Sequence, residues 1–110
     1  MELDVYTQDG IKIINLTGEL NSATAEDVQE RVQAHIGERE HVVLNMQNVS
    51  YMSSAGIRTL LLLYRAVHES GGRAALVGLS EDLEETLDIT GFLEYFNTHA
   101  TLDEGIRAIR

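Results

Sequence analysis

The sequence predicts an α/β fold, a mixed sheet of about four or five strands packed with about four helices. Three observations carry that prediction. Apolar residues alternate with period two at the N-terminus. Two short runs, His41 to Met46 and Arg73 to Val77, are mostly apolar, as strands buried on both faces are. The stretches around them carry apolar residues at spacings of three and four, and glycine follows the first three.

Taken in order, Leu3, Val5 and Thr7 alternate up to Asp9-Gly10, and Ile11, Ile13 and Leu16 continue beyond it. Asp-Gly between two such runs signals a hairpin. Gly18 is expected to end the second strand. A helix then starts near Asn21 or Ser22, either of which can cap it. Ala25, Val28, Val32 and Ile36 form its buried stripe, and Gly37 is its stop. His41 to Met46 follows as a strand, and Val49 to Gly56 reads as a strand-to-helix connection. The next helix places Ile57, Leu60, Leu61, Tyr64 and Val67 on one stripe and stops at Gly71-Gly72. Arg73 to Val77 is the next strand, reached by a right-handed parallel crossover. Ser80 caps an acidic helix from about Glu81 to Ile89, with Glu81, Asp82 and Glu84 where the helix dipole favours them. Gly91 breaks it, and Leu93 to Asn97 is expected as a short edge strand. Thr101-Leu102-Asp103-Glu104 is a capping box that opens a last helix on Leu102, Ile106 and Ile109.

A chain of 110 residues fits a single domain, residues 1–110, and its 44% apolar residues suffice for one core. The absence of cysteine removes disulfides, thiolate metal sites and a thiol nucleophile, and fits a reducing cytoplasm. The acidic N-terminus has neither the basic nor the apolar region of a signal peptide, and the longest apolar run, Leu60 to Tyr64, is too short to span a bilayer. A cytoplasmic location is expected. The net charge is −10, and Lys12 is the only lysine beside seven arginines. No basic patch is available for nucleic acid or for an anionic membrane. The acidity provides solubility, and it also suits a partner protein with a basic docking face. His35, His41, His68 and His99 are scattered without metal-ligand spacing, and no glycine-rich phosphate loop occurs. No cofactor is expected.

The most informative segment is Ser53-Ser54-Ala55-Gly56, where a buried strand gives way to a helix, the usual address for functional groups in open α/β sheets. Ser54 there has two readings. It caps the helix, worth about 1 kcal/mol, or its hydroxyl, beside small neighbours and the positive end of the helix dipole, accepts a phosphate. The run Leu60 to Leu63 is more than one core-facing stripe holds, so Leu62 or Leu63 faces a partner or another layer of the domain.

The segment Val49-Ser50-Tyr51-Met52-Ser53-Ser54-Ala55-Gly56-Ile57-Arg58, followed by Leu60-Leu61, closely resembles the phosphoacceptor segment of bacterial anti-sigma factor antagonists, members of the STAS domain family. Ile14 to Leu20 with Asn21, Thr24 and Ala25, then Gly72 to Gly78, then Leu87 to Phe92, resemble the family's other landmarks in order and spacing. The resemblance implies a STAS-like fold and a partner-switching role. The unphosphorylated domain binds an anti-sigma factor that is itself a serine kinase, and a sigma factor is released. Phosphorylation of one serine ends the binding, and a metal-dependent serine phosphatase restores it. The matching acceptor is Ser54, two residues before the motif glycine. The kinase brings the ATP, magnesium and base, so this chain needs no catalytic residues. The implied partner surface comprises Asn21, Ser22, Ser53, Ser54, Ala55, Gly56 and Arg58, with Leu62 added from the leucine run. Ser53 and Asn21 stand where the family often has aspartate, which makes Ser53 a second candidate acceptor and leaves the kinase's identity open.

Two other functions compete. STAS-like domains also serve as unmodified scaffold subunits in stress-signalling assemblies and beside membrane transporters. A serine-dependent enzyme is disfavoured, because the sequence offers no convincing base, acid partner or oxyanion arrangement.

Overall fold

The computed structural model describes all of residues 1–110. The strands are β1 (Glu2–Gln8), β2 (Ile11–Leu20), β3 (Val42–Met52), β4 (Ala74–Val77) and β5 (Thr98–His99), in sheet order β1-β2-β3-β4-β5. β1 runs antiparallel to β2, and every other pair is parallel. The helices are α1 (Ala25–Gln33), α2 (Ser54–Glu69), α3 (Glu81–Ile89) and α4 (Leu102–Ile109). Asp9 (φ 53°) and Gly10 (φ 74°) form the hairpin turn, where both central residues need positive φ.

Alternation along the strands divides the core in two. Ile14, Leu16, Val42, Leu44, Met46, Ala74 and Leu76 face α1, α2 and α3 in a cluster of 20 buried residues. Ile11, Ile13, Val43, Ala75 and Val77 face α4, meeting Ile106 and Ile109 in a cluster of seven. The central strands are apolar on both sides because both sides are covered. Tyr64 of α2 packs edge-on against Phe96, with centroids 5.0 Å apart, and its hydroxyl accepts from the Asn97 N–H at 2.8 Å. Burial pushes the Tyr64 phenol above its ordinary pKa, against the opposing pull of that backbone bond.

Several boundaries differ from expectation. β2 does not end at Gly18. It continues to Leu20 through two register shifts against β3, with Gly18 at φ 120° between them. β3 likewise runs past Met46 to Met52, because Val49 and Met52 turn inward after the shift. α1 starts later than Asn21 or Ser22. Asn21 Oδ1 accepts from the Ala23 and Thr24 amides in a turn of its own, and Thr24 precedes the helix. The helix stops at Gln33, before Ile36 and Gly37. On α2 the buried stripe includes Leu63 and Thr59, whereas Leu61 is only half-buried. Residues Leu93–Tyr95 form a 3-10 turn, and the edge strand is the shorter Thr98–His99. Ser80 and Thr101 cap α3 and α4 as expected, accepting from Leu83 and Glu104 amides at 3.2 Å.

Candidate functional site

The ends of β2 and β3 lie side by side, with Leu20 paired to Met52, so the turns that follow them are neighbours. The Ser53 amide donates to the Leu20 carbonyl at 3.0 Å. Gly56 sits directly over that carbonyl, and a Cβ at this position would collide with it. Only glycine lets α2 start this close to β2.

Helix α2 is capped by Ser53, not by Ser54. Ser53 is extended (φ −86°, ψ 176°), and its Oγ accepts from the Gly56 amide at 3.2 Å. Ser54 is the first helical residue. It is exposed, and its hydroxyl takes no part in the intramolecular bonding that holds Ser53. A cavity of about 350 Å³ opens beside it, between the end of β3 and α3, lined by Tyr51, Ser54, Ile57, Asp82, Thr86 and Thr90 among others.

The structure brings together Asn21, Ser22, Ser53, Ser54 and Ala55 at this sheet end, with Arg58 one turn along α2. Asn21 is half-buried and its side-chain oxygen is engaged in its own turn, while Ser22 is exposed. Gly56 is buried against Leu20 and contributes packing rather than accessible surface. Leu62 is 42% exposed and Leu63 is buried, so of the two only Leu62 reaches solvent. Leu62 nevertheless lies two turns from Ser54, about 12 Å along the axis, over a separate groove shared with Gln29 and Gln33 of α1.

Three wall residues were not anticipated as part of the site. Tyr51 is 51% exposed at the end of β3. Thr86 and Thr90 follow Asp82 at intervals of four, placing Asp82 and Thr86 on one face of α3 with Thr90 at its C-terminal cap. That spacing is visible in the sequence; what it faces is fixed only by the sheet order.

The comparisons with known proteins agree with this architecture. The family model for the STAS domain matches residues 2–105. A Bordetella bronchiseptica protein, BtrV, named as an anti-sigma factor antagonist, is 37% identical over 98 residues, covering 87% of this chain and 84% of its own. The anti-sigma F factor antagonist of Paenibacillus polymyxa is 27% identical over 86% of this chain and 82% of its own. A crystal structure of a Thermotoga maritima protein, also named as an anti-sigma factor antagonist, superposes with a TM-score of 0.89 at 22% identity, covering 98% of this chain and 94% of that one. The chain belongs to the STAS domain family, among the anti-sigma factor antagonists.

Proposed function

We propose that this chain is a phosphorylation-controlled antagonist. Unmodified, it binds an anti-sigma factor serine kinase and thereby frees a sigma factor. Transfer of the γ-phosphoryl group of ATP to Ser54 Oγ, with the hydroxyl proton passing to the kinase's base, ends that binding, and a serine phosphatase restores it. One observation carries the reading: Ser54 offers an exposed, unengaged hydroxyl at the head of α2, while its neighbour Ser53 does the capping. The switch acts at the interface and not on the fold. A phosphoserine brings about two negative charges, which the start of a helix tolerates. A partner packed over that point must bury the charge or oppose it with a carboxylate of its own. Like-charge contact costs several kcal/mol, and about 1.4 kcal/mol is already tenfold in affinity.

The test is affinity capture from the cell of origin, with mass spectrometry, using wild type, Ser54→Ala and Ser54→Asp. An anti-sigma factor of the kinase class is expected with wild type and Ser54→Ala and not with Ser54→Asp, with a Ser54 phosphopeptide from the wild type. Melting temperatures of the three are expected to agree within a few degrees. Equal recovery by all three, with no phosphopeptide, would replace the switch with a fixed scaffold.

A further inference from the structure

We propose that Arg58 is the built-in counter-ion of a phosphate on Ser54, drawing the modified side chain along the outer face of α2. The proposal rests on Ser54 being the acceptor. Residues four apart on a helix are surface neighbours, roughly 5–6 Å between Cβ atoms, and both Ser54 and Arg58 are exposed. Arg58 takes part in none of the four ion pairs of the molecule, which join Lys12 to Glu40, Arg31 to Asp27, Arg107 to Asp103 and Arg110 to Asp9. Its guanidinium is therefore free for an oxyanion, which it can grip with two parallel N–H donors.

The surroundings supply no alternative cation. No lysine or arginine occurs in residues 40–57 or 74–106, the segments that bring β3, the start of α2 and α3 to the groove. The nearby charges there are acidic: Asp82 lines the groove, with Glu81 beside it. A phosphate on Ser54 thus meets Arg58 on its own helix and carboxylates across the gap, and turns toward Arg58. One modification then has two effects on the docking face. It adds negative charge at the head of α2 and withdraws the arginine that an unmodified site offers to a partner's carboxylate.

The test installs phosphoserine at position 54 by genetic encoding, so it needs no kinase and stands apart from the fate of the switch itself. The second phosphate ionisation, about 6 for free phosphoserine, is followed by 31P NMR titration. Arg58→Gln is expected to raise it by roughly 0.4 unit, Arg58→Lys to keep most of the wild-type value, and Arg65→Gln, two turns further along α2, to leave it unchanged. Coincident titrations of wild type and Arg58→Gln overturn the proposal. So does an equal shift with Arg65→Gln, which would reduce the effect to net charge.

Discussion

At residues 53 and 54 the backbone passes from extended to helical, and that change separates two identical side chains. The Ser53 hydroxyl is turned back onto the Gly56 amide, whereas Ser54 projects outward from the first turn. Ser53→Ala is expected to lower the unfolding free energy by about 1 kcal/mol, and Ser54→Ala to change it by less than about 0.5 kcal/mol. Urea titration of the two variants beside wild type measures this. The sequence shows a serine pair before a glycine, but not which serine caps. Moving the helix start by one residue exchanges the roles, and neither local pattern nor propensity discriminates at that resolution. Of the two readings open for Ser54 in the sequence, the capping role falls to Ser53 instead. The Ser53 oxygen already accepts from the Gly56 amide whereas Ser54 is exposed and unengaged, so the two hydroxyls are not equivalent.

The start of α2 depends on one close approach between elements. Gly56 lies over the Leu20 carbonyl at the end of β2, in the stretch where the β2–β3 register has shifted twice. Gly56→Ala gains helix propensity worth about 1 kcal/mol but forces apart backbone that cannot yield cheaply, at a cost of about 1–3 kcal/mol. A net loss of stability is expected in urea unfolding, together with amide chemical-shift changes in residues 20–24 across the strand pair. Elements with strong local signals were legible: the Asp9-Gly10 hairpin, the Ser80 and Thr101 caps, β4 and the first half of β3 appear where read. The extensions of β2 and β3 were not, because a bulge moves inward-facing residues out of simple alternation. The late start of α1 was also hidden, since Asn21 serves its own turn as readily as it would cap a helix.

Across the whole molecule, unequal cover on the two sheet faces puts most of the core under α1, α2 and α3. Tyr64 ties α2 to the chain leading into β5 through its ring contact with Phe96 and its bond from Asn97. Its raised pKa means that the fold favours the neutral phenol. That contribution is whole below the ordinary tyrosine value of about 10, and it is lost as pH climbs through the raised folded value. Tyr64→Phe is expected to cost about 1 kcal/mol at pH 7. The stability gap between the two proteins is expected to narrow above about pH 10, as followed by denaturant unfolding across pH. Such long-range pairing is invisible to periodicity, which registered Tyr64 only as one member of an apolar stripe.

The Ser53 amide held by the Leu20 carbonyl fastens the turns after β2 and β3 to one another. A protein that grips both meets a single stiff ledge and gives up little ordering entropy in docking. Discrimination on such a ledge is sharp, since a support that does not yield cannot shuffle aside to accommodate an unwelcome group at its rim.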